Sequence, residues 1–179
     1  VKVTETILQT YTASIDPCLL SGKFLVLHRI LSSIRRYTQD RVIIVSNFTS
    51  TLNLLQRYCV RQKFPFLRLD GRTKADVRSK MVNEFNSDSG SDHLGKQPFV
   101  FLLSSKSGGV GLNLIGANRL VLFDSDWNPA TDRQAMARIH RDGQLKPCFI
   151  YRLLLVGSMD EKIYQRQITK IGLSDSLMS

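Results

Sequence analysis

Between Ser104 and Gln144 the chain reads SSKSGGVGLNLIGANRLVLFDSDWNPATDRQAMARIHRDGQ, and the residues best suited to chemistry are gathered there. A small-residue, glycine-rich turn follows one strand-like run, and such a turn exposes backbone N–H groups that suit a phosphate or a polar nucleotide edge. A second apolar run ends in Asp124, Asp126, Trp127 and an Asn128-Pro129 stop. A helix is then expected to carry Arg138 and Arg141. At i and i+3 on one helix face, both guanidinium groups reach a single anion.

The elements that must position these groups follow from apolar patterning. Residues 1–20 are mixed and read as the tail of a preceding helical region. Ser21 is expected to cap a helix with Phe24, Leu27, Ile30, Leu31 and Ile34 on one face. Val42–Val45, Phe66–Leu69, Phe99–Leu103, Arg119–Phe123 and Cys148–Leu153 read as five short strands. Helices are expected between them, from about Ser50 to Gln62 and from a Thr73 cap to about Phe85. Asn86–Gln97 is polar and rich in glycine and serine, so a surface loop is expected there. Strands alternating with helices predict an α/β fold with a parallel sheet covered on both faces. In such a sheet ligands bind beyond the carboxyl ends of the strands. The polar groups Ser46–Thr49, Asp70–Thr73, Ser104–Gly111 and Asp124–Asn128 all fall at that edge. Ser158–Leu173 is charged and helical in pattern, with Asp160 and Glu161 in its first turn and Lys170 near its end, and reads as a docking helix.

A chain of 179 residues is long enough for one domain with a sizeable core. The formal net charge of +10 favours a polyanionic partner, with nucleic acid first among them. No run of about 18 apolar residues suggests a membrane span. The first residue is Val1 rather than Met, and the segment reads as an excised piece of a larger protein. Cys18, Cys59 and Cys148 are far apart and lack a CxxC pair, as expected of reduced core thiols in an intracellular protein. His28, His93 and His140 show no ligand spacing, so no metal site is expected.

Three apparent motifs are decoys. Gly90–Lys96 nearly matches the phosphate loop GxxxxGK[ST], but Gln97 replaces the hydroxyl residue and a strand follows rather than precedes it. Asn47-Phe48-Thr49 fits the glycosylation pattern but falls at an intracellular strand end. Gly108-Gly109-Val110-Gly111 does not fit the dinucleotide GxGxxG.

Taken in order, VIIVSNFTSTLNLL (Val42–Leu55), Phe66–Thr73 with Arg78, Met81 and Phe85-Asn86, FLLSSKSGGVGLNL (Phe101–Leu114), FDSDWNP (Phe123–Pro129) and QAMARIHRDGQ (Gln134–Gln144) resemble the C-terminal helicase lobe of Swi/Snf-type DNA translocases in helicase superfamily 2. The resemblance covers residues 20–173. The HRDGQ ending and RLLLVGSMDEKIYQRQ resemble the recombination-repair subgroup related to Rad-fifty-four proteins. It implies a RecA-like lobe of the P-loop NTPase type without its own phosphate loop, over residues 21–157, and a brace helix and tail over 158–179. It implies ATP and Mg²⁺ held between this lobe and a missing N-terminal lobe, with double-stranded DNA crossing both. A recombinase filament or a nucleosome, a nuclear location, and a role in homologous recombination, DNA repair or chromatin remodelling follow from the same resemblance. The isolated lobe is expected to be inactive.

Residue by residue, Arg138 and Arg141 match the paired arginines of the family and take the finger role toward the γ-phosphoryl group. Gly111 and Asn113 match positions that approach the nucleotide's sugar, and Gln144 would orient that network. The same glycines also fit a helix N-terminus packed for space alone. Ser46, Asn47, Arg72, Ser105 and Lys106 are candidate DNA-backbone contacts. The family has Thr-Arg where this chain has Ser105-Lys106, which keeps hydroxyl and charge but loses the bidentate fork. Trp127 either stacks on a base or wedges the loop as a buried aromatic. Asp124 and Asp126 either cap backbone groups or cooperate with Arg133. Two readings compete with the translocase: a non-catalytic nucleic-acid or protein interaction module, and an RNA helicase lobe.

Overall fold

The computed structural model describes residues 21–87, 97–107 and 112–178, with side chains described as far as residue 172. The described residues fall into two compact units, one up to Thr38 and one from Gln39 onward. In the first, α1 (Gly22–Tyr37) buries Phe24, Leu27, Leu31 and Ile34, the stripe its spacing predicts. Ser21 stands at the N-cap position, but its hydroxyl makes no capping bond.

The second unit is an all-parallel five-stranded sheet. Its elements run β1 (Val42–Ser46), α2 (Thr49–Arg61), β2 (Phe66–Leu69), α3 (Ala75–Asn86), β3 (Val100–Ser104), β4 (Arg119–Leu122), α4 (Pro129–Met136), β5 (Phe149–Arg152) and α5 (Met159–Met178). The spatial order is β2-β3-β1-β4-β5. β1 and β3, solid in Val, Ile, Leu and Phe, are buried at every position, as strands covered on both faces must be. The edge strands differ: β5 leaves Phe149 and Ile150 exposed, so double coverage holds for the middle of the sheet and not for this edge.

A buried apolar cluster packs one face of the sheet. Ile43, Val45, Phe101, Leu103, Leu120 and Leu122 from the sheet meet Phe85, Leu114, Ala135 and Ile139. Phe85 and Phe101 pack edge to face with ring centroids 4.9 Å apart. Three expected helix ends fall elsewhere. Thr73 does not cap α3; its hydroxyl accepts from the Asp70 N–H at 3.2 Å, and Lys74 is the cap residue. Asn128-Pro129 starts a helix rather than stopping a strand, with the Asn128 side chain accepting from the Ala130 N–H at 3.1 Å and Pro129 in the first turn.

The third matters most for the site. The helix expected to carry Arg138 and Arg141 ends at Met136, and both arginines lie in the turns that follow. Past Met136 the ladder tightens to i→i−3 bonds, from the Arg138 N–H to the Ala135 carbonyl and from the Ile139 N–H to that of Met136, both at 3.3 Å. The Arg138 carbonyl accepts from the Leu114 N–H at 3.1 Å, and that of Ile139 from the Gln144 Nε2 at 3.3 Å.

Candidate nucleotide and nucleic-acid interface

The carboxyl ends of β1, β3 and β4 are tied into one edge. The Ser105 N–H donates to the Ser46 carbonyl at 3.1 Å, and the Phe123 N–H donates to that of Val45 at 3.0 Å. The Ser46 hydroxyl is fully buried and donates to the Asp124 carboxylate. Ser46 therefore shapes the edge from within rather than facing a ligand. Asn47 is half-buried; its Nδ2 donates to the Asp124 carbonyl at 3.4 Å. Its Oδ1 and the Ser105 Oγ are sheltered from solvent and have no hydrogen-bond partner among the described residues. Two sheltered, unsatisfied polar atoms at a strand edge favour an incoming polar ligand, because leaving them so costs about 1–3 kcal/mol each.

Arg72 and Lys106 are exposed at the same edge. Arg72 sits in a rigid loop: its N–H donates to Asp70 Oδ1 at 3.0 Å, and Arg68 pairs with Asp70 Oδ2 at 2.9 Å. Burial works to raise the Asp70 carboxyl, but the Arg72 N–H and the Arg68 guanidinium outweigh it and hold it below its ordinary value.

A second group forms around residues 113–117 and 138–144. The Asn113 Oδ1 is sheltered and unpartnered among the described residues. Arg138 is buried, and that burial pulls its guanidinium pKa down. Arg141 is exposed, beside a 340 Å³ depression that it lines with His140, Gln144 and Lys146. The Gln144 Nε2 lies within hydrogen-bond reach of the carbonyls of Ile115, Ala117 and Ile139, at 3.1, 2.8 and 3.3 Å. It fastens the 115–117 segment to the arginine turn, so its side chain is engaged within the protein. Gly143 adopts φ +97° beside it, a conformation that favours glycine. Gly111 lies outside the described residues.

The Asp-Trp turn differs in part from expectation. Trp127 is 48% exposed rather than buried, with the Arg166 guanidinium 5.7 Å from its ring centroid. Asp126 caps the Asn128 N–H at 2.7 Å, and its own N–H donates to Asp132 at 3.3 Å. A lock lies beneath this turn that the sequence patterning does not reveal: buried Gln167 of α5 and Asp132 of α4 bond to each other and to the partly buried Arg152 of β5.

The profile of the helicase conserved C-terminal domain matches residues 22–143. The chain belongs to that family. It is 56% identical over 154 residues, 86% of its length, to Protein CHROMATIN REMODELING 25 of Arabidopsis thaliana, and covers 16% of that protein. Over 159 residues, 89% of its length, it is 54% identical to the human DNA repair and recombination protein RAD54-like, and covers 20% of it. The Schizosaccharomyces pombe DNA repair protein rhp54 is 51% identical over 89% of the chain, which covers 18% of that relative. The chain thus spans a fifth or less of these curated relatives. Among solved structures, the C-terminal part of the Fun30 ATPase domain superposes with a TM-score of 0.78 at 38% identity, covering 89% of this chain and 49% of that one. The RecA-like helicase lobe is therefore the fold, and the similarity to Swi/Snf-type and RAD54-like regions holds for this chain.

Proposed function

We propose that this chain is the C-terminal motor lobe, with its brace helix over 158–179, of an ATP-dependent double-stranded DNA translocase in homologous recombination, DNA repair or chromatin remodelling. The observation that carries the reading is the placing of sheltered polar atoms in two separate groups, one at the carboxyl edge of the sheet and one joined to the far end of α3. Asn47 and Ser105 serve one group, and Asn113, beside the Leu114–Arg138 backbone bond of 3.1 Å, serves the other. The Ser105 hydroxyl can donate to a DNA-backbone oxygen, as can the second Nδ2 hydrogen of Asn47, while the Asn113 Oδ1 accepts only and fits a donor such as a hydroxyl of a nucleotide's sugar.

In this reading Asn47, Arg72, Ser105 and Lys106 contact the DNA backbone, and Ser46 holds their edge in shape. Gly111 and Asn113 hold the nucleotide's sugar. Arg138 and Arg141 stabilise the negative charge that develops on the transferred phosphoryl oxygens, and an anion beside Arg138 offsets the cost of its burial. Gln144 acts as a positioning residue through the turn that carries both arginines. ATP supplies the phosphoryl group and the driving free energy. Mg²⁺ would accompany the ATP between this lobe and an N-terminal lobe. We infer a nuclear setting, with a recombinase filament or nucleosome as partner; the DNA repair, recombination and chromatin remodeling names of the relatives support it.

The test is ATP turnover by the parent protein with duplex DNA, with RNA and with neither. Stimulation by duplex DNA alone supports the translocase. Equal stimulation by RNA would move the lobe to the RNA helicases, and absence of turnover would leave an interaction module.

A further inference from the structure

Helix α3 touches both groups, one at each end. Near its start, Arg78 Nε donates to the Thr73 carbonyl at 2.9 Å, and its NH1 donates to the Ser107 carbonyl at 3.1 Å. Thr73 follows Arg72, and Ser107 follows Ser105-Lys106. A single guanidinium thus bridges the two segments that carry the cationic candidates for DNA. The Ser107 hydroxyl strengthens the tie, its one hydrogen within reach of the Ser104 carbonyl at 3.0 Å and the Leu69 carbonyl at 3.3 Å.

At the other end, Asn86 Nδ2 donates to the Asn113 carbonyl at 2.8 Å, and its Oδ1 accepts from the Gly116 N–H at 2.9 Å. Both halves of the amide are used, on a segment whose own side-chain oxygen at Asn113 is unpartnered among the described residues. Arg41 holds the same helix end through the carbonyls of Phe85 and Ser87. Gly116 packs against that end so closely that a Cβ would lie 2.3 Å from the Phe85 carbonyl oxygen. Arg78 and Asn86 are eight positions apart on α3, about 12 Å along its axis.

We propose that Arg78 and Asn86 are positioning residues with separate clients on one rigid helix: Arg78 sets the DNA-backbone contacts, and Asn86 sets the nucleotide contact at Asn113. The proposal rests on the reading above for which ligand each group takes. Neither residue touches a ligand itself. A guanidinium fork is needed at Arg78 because two carbonyls on different segments must be held at once, which a single ammonium does poorly. An amide is needed at Asn86 because it must donate to one backbone group and accept from another.

The experiment uses the parent protein and measures three quantities for each variant: KM for ATP and kcat at saturating duplex DNA, Kd for duplex DNA, and Tm. Asn86→Ala is expected to raise KM for ATP about tenfold, the size of one lost hydrogen bond, with kcat and DNA Kd within about twofold. Asn86→Asp keeps the acceptor for Gly116 but sets a carboxylate against the Asn113 carbonyl, and should raise KM at least as far. Arg78→Ala is expected to weaken DNA binding about tenfold with KM for ATP nearly unchanged, and Arg78→Lys should restore only part of it. A merely structural role would lower Tm and shift both ligands alike, or neither; either result overturns the proposal. If Asn86→Ala fails to fold, Asn86→Asp decides the nucleotide half, and Arg78→Lys decides the DNA half in the same way. Arg141→Ala separates the two levels of argument. Lost turnover there with no split between Arg78 and Asn86 variants defeats this inference alone, whereas unchanged turnover defeats the reading beneath it.

Discussion

The Gln167 Nε2 lies 2.9 Å from the Asp132 Oδ2, beneath the surface and between two helices that are remote in sequence. Arg152 NH1 closes the group at 3.0 Å from the same carboxylate oxygen and 2.5 Å from the Gln167 Oε1. Gln167 also donates to the Asp126 carbonyl at 2.5 Å. The terminal helix is therefore pinned to the Asp-Trp turn by polar bonds in addition to packing. Asp132→Ala leaves Arg152 without this buried carboxylate and should destabilise the chain by about 2–4 kcal/mol. Gln167→Leu should cost about 1–2 kcal/mol. Urea denaturation midpoints check both; unchanged midpoints would show that α5 is held by its apolar contacts alone.

Gly116→Ala tests the close approach at the end of α3. The added methyl would lie 2.3 Å from the Phe85 carbonyl oxygen and 2.9 Å from the Asn86 Cα, and both are backbone atoms. A shift is unavoidable, and a loss of about 2 kcal/mol or more is expected. Gly22→Ala meets nothing within 4 Å and serves as the control.

How far these sites were legible in the sequence depends on the range of the interactions that build them. Val42–Val45 and Phe99–Leu103 announced buried parallel strands because burial on both faces leaves no polar alternation. The strand-end polar groups followed from the same pattern, and Asn47 and Ser105 do present sheltered oxygens there, whereas the sheltered Asn113 oxygen lies by the far end of α3. The helix expected beneath Arg138 and Arg141 ends early, its last bonds tightening to i→i−3, and the turn beyond is fixed from outside by the Leu114 N–H and the Gln144 side chain. No local propensity reports that. Thr73 failed as a cap for a similar reason, since its hydroxyl serves the Asp70 loop. Arg78 and Asn86 were visible only as members of a family segment, and Gln167 only as part of a charged helix. Their partners lie far along the chain, and spacing within a segment carries no signal of them.

Cysteine chemistry offers a test independent of any ligand. Burial pushes the Cys59 thiol up to about 12. The half-buried Cys148 thiol is also raised by burial. The folded-state value of Cys59 lies above its ordinary 9.0, so the neutral thiol contributes stability below that pH, and the contribution is lost as pH rises toward 12. Iodoacetamide at pH 8.5 should label Cys148 well before Cys59 in the folded chain, and both alike in urea. Mass spectrometry of the labelled peptides reads the order; equal labelling in the folded chain would contradict the burial of Cys59.

Salt dependence tests the DNA-facing edge. Arg72 and Lys106 are exposed, and each phosphate contact contributes about 0.9 to the slope of log K against log salt on duplex DNA. Arg72→Ala and Lys106→Ala in the parent protein should each reduce that slope by about one, with little change in sequence preference. A slope unchanged by both would place the DNA elsewhere.

In the proposed function this lobe contributes an arginine to phosphoryl transfer on a nucleotide shared with a second lobe. Arg141 tests it most cleanly, because it is exposed and its removal leaves the core intact, whereas Arg138 is buried. The measurement is duplex-stimulated ATP turnover of the parent protein carrying Arg141→Ala, with duplex binding measured in parallel. The account predicts a fall in kcat of about 10³-fold or more with DNA affinity retained; turnover within about twofold of the unsubstituted protein would contradict it.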